Sequence, residues 1–195
     1  GQIINKYGDD LDGPHTLATL LERVDAERLV PRIRFLTAHP RNLDSDLAAA
    51  MGRLDTVCEE LNLPVQSGDD EVLRRMGRGY DTAFFRERIA MLRDHVPGIA
   101  ISTDIIVGFP GETDAQFQNT LDLLREIQFD VVHVAAFSAR RGTVAAKWGD
   151  TMEPAEKLRR LHAVEAKQKG IAAELNARLV GATEEVLFEE LRESP

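Results

Sequence analysis

Residues Ile99–Gly111 read IAISTDIIVGFPG, and the following Glu112 closes the phrase. Ile99 to Val107 is β-branched and apolar apart from Ser102, Thr103 and Asp104. That composition predicts a strand buried on both faces, as in parallel sheets. Gly108 to Gly111 then predicts a sharp loop, because glycine tolerates positive φ and lets other groups approach the backbone closely. Thr113 and Gln116 have the spacing of a capping box. They open a predicted helix carrying Phe117, Leu121, Leu124 and Ile127 on one face. Strand, glycine turn and capped helix in succession are the unit of an α/β fold.

The same unit extends in both directions. Upstream, Ile33–Thr37 (IRFLT) and Glu60–Val65 (ELNLPV) read as strands, the second stopping near Pro64. Helices are predicted over Thr16–Glu27, after the cap Asp44, over Asp70–Met76, and from Thr82 to Pro97-Gly98. Downstream, Asp130–Phe137 (DVVHVAAF) is a further strand. Pro154 opens a long helix with Leu158, Leu161, Val164, Ile171, Leu175 and Leu179 along one stripe and Gly181 as its stop. Strand and helix alternate at about 30 residues per unit, which argues for parallel strands joined by crossovers. Four strands are too few to close an eight-stranded barrel, so the expected sheet is open or incomplete. In such sheets ligands gather at the carboxyl ends of the strands.

The whole chain has 195 residues, 43% hydrophobic and 29% charged, with a net charge of −9. Disordered and fibrous classes are excluded by that balance. No apolar run approaches the length of a membrane span, and the expectation is a soluble cytoplasmic protein. The acidic balance argues against a large basic nucleic-acid footprint. One cysteine, Cys58, forms no intrachain disulfide and supplies no Cys-rich metal site; it reads as a small core residue. The five histidines show no metal-ligand spacing, and no Walker loop, dinucleotide fingerprint or GxSxG elbow is present.

The unusual residues fall at the strand ends. Gln66-Ser67-Gly68 reads either as a reader of ribose or amino-acid hydroxyls or as a polar turn with Ser67 capping the next helix. Asp104 interrupts an apolar strand and needs either a ligand or a structural partner. Gly108 to Glu112 precedes a helix N-terminus, where an anionic group is favoured. Arg140 or Arg141, in Ser138–Thr143 (SARRGT), either clamps a carboxylate or phosphate or belongs to a solvated basic loop.

Taken together, RIRFLTAHP (Arg32–Pro40), LPVQSGDDEVLRRMGRGY (Leu63–Tyr80), STDIIVGFPGET (Ser102–Thr113) and FSARRGT (Phe137–Thr143) resemble the radical S-adenosylmethionine methylthiotransferases. GQIINKYG (Gly1–Gly8) is similar to a loop of the same enzymes. RFLTAHP and the QSG after LPV are most similar to the branch that forms 2-methylthio-isopentenyladenosine in tRNA. The threonylcarbamoyladenosine branch shares QSG and is the nearest alternative; a cluster-free nucleotide- or tRNA-binding module is the other.

The resemblance implies a partial (β/α) barrel of the radical SAM type, truncated at its N-terminus and ending at the start of a TRAM β-barrel. Residues 1–150 would be the later part of the barrel, 151–181 a closing or linker helix, and 182–195 the first TRAM strand, with EVLFE at Glu185–Glu189. It implies a transferase that abstracts hydrogen with a 5′-deoxyadenosyl radical, using S-adenosylmethionine and two [4Fe–4S] clusters. The site residues it implies are Gln2 and Asn5 at the methionine amino group, and Gln66 and Ser67 at the ribose. Asp104, Gly108 and Glu112 would lie against the adenine, and Ser138 and Arg140 at the methionine carboxylate or the substrate. tRNA and an electron-donor protein are the implied partners, with no membrane. Two departures stand out. Arg141 replaces a proline usual in the family's SxRPGT phrase, and none of the six expected cluster cysteines is present, so no cluster and no activity are expected of this chain alone. The strand edge near Ile33, left open by the missing strands, is expected to pair with a second copy.

Overall fold

A computed structural model describes residues 3–36, 38–183, 186 and 187. Its centre is a parallel sheet of β1 (Glu60–Asn62), β2 (Ala100–Val107) and β3 (Val131–Ala136), in the order β1-β2-β3. Helices α3 (Asp70–Arg75) and α4 (Thr82–His95) connect β1 to β2, and α5 (Asp114–Ile127) connects β2 to β3. The amino-terminal part contributes α1 (Leu17–Glu27) and α2 (Ser45–Arg53), and the chain closes with a one-turn α6 (Val144–Lys147) and a long α7 (Pro154–Ala177).

The helices start where short polar side chains satisfy their free N–H groups. Asp44, Asp69 and Asp81 each accept from the third residue of the helix that follows. Thr113 and Gln116 form the expected capping box on α5. Thr16 and Thr19 form another on α1.

One face of the sheet carries the core. Leu61, Leu63, Val65, Ile101, Ile105 and Val107 are at most 1% exposed and pack against Phe85, Leu92, Leu123, Leu124 and Phe129 from the helices and loops behind them. The other face is open: Asp104 and Ile106 are half-buried, and Val131, His133 and Ala135 are exposed. The expectation that Ile99–Val107 is buried on both faces is thereby corrected. Its β-branched residues serve two environments, alternating between them with the strand's period of two.

The junction of β1 and β2 is irregular. Asn62 pairs with Ser102 but Gln66 pairs with Ile105, so the β1 side holds one extra residue, as in a bulge. Pro64 has no N–H to offer the ladder. The Thr103 hydroxyl fills the gap, donating to Leu63 O at 2.9 Å and accepting from Val65 N at 3.0 Å. Gln66 then rejoins β2 at φ +77° through Gln66 N to Asp104 O and Ile106 N to Gln66 O, each 2.9 Å.

Three further expectations are corrected. Among the described residues of Ile33–Thr37, the expected strand is reduced to a single parallel bridge from Ile33 to Val57. Val57 lies ahead of β1, so the two segments meet at one point and diverge, with Leu36 left 64% exposed. Gly181 does not stop α7: the helix ends at Ala177, and Gly181 takes its left-handed conformation one turn later. The expected stripe of α7 holds in its middle, where Val164 and Ile171 are buried and Leu161 and Leu175 pack against the core, and fails at its ends. Leu158 and Leu179 are exposed, while Lys157, Arg160, Val164 and Ile171 face inward against α5 and β3. Gln2, and most of the EVLFE segment, lie outside the described residues.

Candidate functional site

The carboxyl ends of all three strands converge on one cleft of about 610 Å³, within the size range of small-molecule sites. Gln66 enters it from the bulge after β1, Ile106 and Phe109 from the end of β2, and Phe137, Ser138 and Arg140 from beyond β3. Of the residues singled out in the sequence, the structure therefore brings Gln66, Ser138 and Arg140 together.

The rest are distributed around that cleft. The Ser67 side chain is fully buried behind it, accepting from Asp69 N at 3.2 Å and lying 3.4 Å from the Thr120 hydroxyl on α5. Gly68 lets α5 come this close: a Cβ there would lie 2.5 Å from Thr120 Cα. Ser67 thus matches the turn reading, with Asp69 as the cap of α3. Asp104 faces an adjoining hollow of about 520 Å³ further down the open face, beside Ser102 and His133. Its carboxylate has no hydrogen bond or ion pair among the described residues. Asn5 lies elsewhere: its amide donates to His39 O at 3.0 Å and accepts from His39 N at 2.9 Å, a two-point clamp that holds the His39-Pro40 turn.

Gly108 and Glu112 form the floor's support. Glu112 Oε2 accepts from Gly108 N at 2.8 Å and from Arg160 Nη1 at 2.9 Å, with the Glu112 side chain 1% and the Arg160 side chain 4% exposed. Burial pushes the Glu112 carboxyl above its ordinary range, against the opposing pull of the Gly108 amide and the Arg160 guanidinium. Arg160 spends its remaining donors on Asp114 at 2.7 Å and Glu156 at 2.8 Å. One residue pair on α7 thus holds two strand-end loops. Arg160 grips the Gly108–Glu112 loop, and Lys157 Nζ donates to Phe137 O at 3.0 Å while pairing with Asp150. On the other side of the loop Arg75 lies 5.6 Å from both the Phe109 and Trp148 rings and donates to Pro110 O.

Sequence reasoning missed Lys157, Arg160 and Arg75. Each is a cation whose site-building partners are backbone or distant in sequence, and the traces were that Lys157, Arg160 and Val164 share a helical face and that Glu156 and Arg160 stand four apart.

Cys58 is half-buried, its N–H donating to Ile33 O at 3.0 Å. No group of three or more His, Cys, Asp or Glu able to hold a metal occurs among the described residues. A [4Fe–4S] cluster needs several thiolates, which one cysteine does not provide. The chain's own residues therefore do not fit a cluster, whereas the cleft, with its apolar walls and the amide, hydroxyl and guanidinium of Gln66, Ser138 and Arg140, fits a nucleoside-sized ligand.

Residues 7–124 match the model of the radical SAM superfamily. The chain belongs to that superfamily. It is 46% identical over 189 residues to the tRNA-2-methylthio-N(6)-dimethylallyladenosine synthase of Moorella thermoacetica, covering 97% of this chain and 43% of the relative. It is 47% identical over 193 residues to the protein of the same name in Chloroflexus aurantiacus, covering 97% and 41%. A Thermoanaerobacter relative, also of that name, is 44% identical, covering 97% and 40%. The chain thus spans about two fifths of the length of the curated relatives it matches. The superfamily membership read from the motifs holds, with an open three-stranded parallel sheet as its framework. No helix among the described residues is long and apolar enough to cross a membrane.

Proposed function

We propose that this chain is the S-adenosylmethionine-binding part of a tRNA methylthiotransferase that acts at C2 of an isopentenyl-modified adenosine. The observation that carries the reading is the cleft itself. It is built at the carboxyl ends of β1, β2 and β3 in a chain that is 46% identical to one of these synthases over 97% of its residues. S-adenosylmethionine, when bound, supplies the methyl and adenosyl chemistry. Gln66 offers an amide to its ribose, the wall at Ile106 and Phe109 takes the adenine, and Ser138 and Arg140 take its methionine carboxylate. Gly108 and Glu112 shape the floor, and Ser67 and Asn5 hold the neighbouring turns. Gln2 would contribute at the methionine amino group.

The two [4Fe–4S] clusters of the working enzyme are held, on this reading, by cysteines that this chain does not contain. The chain alone then carries no methylthiotransferase activity. The whole protein works in the cytoplasm with an electron-donor protein and tRNA. Residues 1–150 belong to its barrel, 151–181 close it, and 182–195 begin a TRAM domain. Alone, the chain pairs with a second copy through the edge at Ile33; a monomer in sedimentation analysis would contradict this.

Deleting the gene and analysing tRNA nucleosides by mass spectrometry tests the reading. Loss of the methylthio group from isopentenyladenosine is expected. Loss from threonylcarbamoyladenosine would transfer the assignment to that branch, and unchanged tRNA would overturn it in favour of a binding module.

A further inference from the structure

Arg28, Arg34, Arg53, Arg74, Arg86 and Arg125 are each paired with a carboxylate. Around the His39-Pro40 turn, which adjoins the cleft through Tyr80 and Arg78, three cations without a carboxylate partner are gathered together, whereas others without one, such as Arg23 and Lys169, stand on α1 and α7. Lys6 and Arg41 are exposed, and neither side chain has an ion pair or hydrogen bond among the described residues. Arg78, which lines the cleft, bonds only to neutral oxygens, Tyr80 Oη at 3.1 Å and Pro64 O at 3.3 Å.

These three cations surround one site. The His39 ring stands edge-on to Tyr80 with centroids 5.6 Å apart, and Arg78 lies 5.6 Å from the same Tyr80 ring. Arg41 N donates to His39 Nδ1 at 3.3 Å, and the Arg41 guanidinium lies across Gly79, where a Cβ would come within 2.8 Å of it. Asn5, the neighbour of Lys6, is bound to the His39 backbone at 3.0 and 2.9 Å, so all three cations border the same turn, and burial and then the fields of Arg78, Arg41 and Lys6 hold the His39 imidazole below its ordinary value. Three cations gathered around one turn present a local positive field to a polyanion on a protein of net charge −9, with Asp9 and Asp44 the carboxylates that share the neighbouring hollow with Arg41.

We propose that Lys6, Arg41 and Arg78 form the phosphate-binding rim that seats the tRNA backbone beside the nucleoside-sized cleft. This rests on the functional reading above and adds to it the residues that position the substrate. The rim is sequence-independent: the three cations grip phosphates, and selection of the base is left to the cleft.

The test measures tRNA affinity of the intact protein against salt concentration. Each lost phosphate contact lowers the slope of log K against log salt by about 0.7 to 0.9. Lys6→Gln, Arg41→Gln and Arg78→Gln are each expected to show that drop. Arg78→Lys, which keeps the charge, is expected to restore most of the slope should Arg78→Gln disturb the Tyr80 contact. Lys169→Gln, an exposed residue on α7 next to Gln168, which binds the loop that enters β3 at the end of the sheet opposite the cleft, makes the same change in net charge and is expected to leave the slope unchanged. Slopes equal to that of the unmodified protein in all three rim variants would overturn the proposal while leaving the functional reading intact. An intact protein that does not bind tRNA at all would overturn both.

Discussion

At the scale of single residues, the site depends on groups that never reach it. Arg160 is the clearest. Replacing it by Met leaves Glu112 buried without its cation, which costs about 3 to 5 kcal/mol. A drop of that size in the denaturation free energy is expected for Arg160→Met, and Glu112→Gln combined with it recovers part of the loss. Thr103 is a second case. Its hydroxyl both donates and accepts at the break that Pro64 makes in the ladder. Thr103→Val keeps the shape and leaves Leu63 O and Val65 N without their partner, for an expected loss of about 1 to 3 kcal/mol, read from urea midpoints. Gln66 was legible as a candidate from its place after LPV. That Gln66 and not Ser67 faces the cleft was not legible, because it depends on a left-handed φ produced by the extra residue.

At the scale of elements, α7 does more than close the fold. Its inward face is built from Lys157, Arg160, Val164 and Ile171, and its first turn is an ion-pair hub. Glu156 accepts from Arg159 and Arg160, which hold its carboxyl down at about 2. Its folded value lies below the unfolded one. The stabilisation is therefore full above the ordinary carboxylate range and is lost as pH falls from about 4.5 through about 2. Thermal midpoints of the parent are expected to fall more steeply over that window than those of Glu156→Gln. The sequence pattern marked this helix, its Pro154 start and the middle of its inward face at Val164 and Ile171, but a leucine count missed the two cations, Lys157 and Arg160, that begin that face. Arg and Lys bury their stems and guanidinium when acids such as Glu112 and Asp150 wait for them, and hydrophobicity does not record that. The strands at Glu60–Asn62 and Ala100–Val107 were legible, the first from its alternation and the second from its branched residues, while IRFLT was not. Its residues resemble a strand, but among those described only Ile33 forms a bridge to a neighbouring strand segment.

At the scale of the whole molecule, the arrangement is an α/β sheet with one face packed and one face open. The cleft lies at one end of the open face and the Asp104 hollow along it. The single tryptophan sits at the rim of this cleft, edge-on to Phe109 at 5.9 Å and beside Arg75. Binding of a nucleoside-sized ligand against Phe109 is expected to change Trp148 emission, and saturation of that change with S-adenosylmethionine gives its affinity. No change at ligand concentrations that saturate by calorimetry would place the ligand elsewhere. The extra residue between Asn62 and Gln66 has a consequence for how this molecule tolerates change in length. The two strands run in step up to Asn62 and out of step by one beat afterwards. Removing Pro64 would bring them back into phase, so Gln66 would meet Ile105 in regular register and point its amide into the apolar core, away from the cleft. In this short stretch, a deletion acts as a rotation.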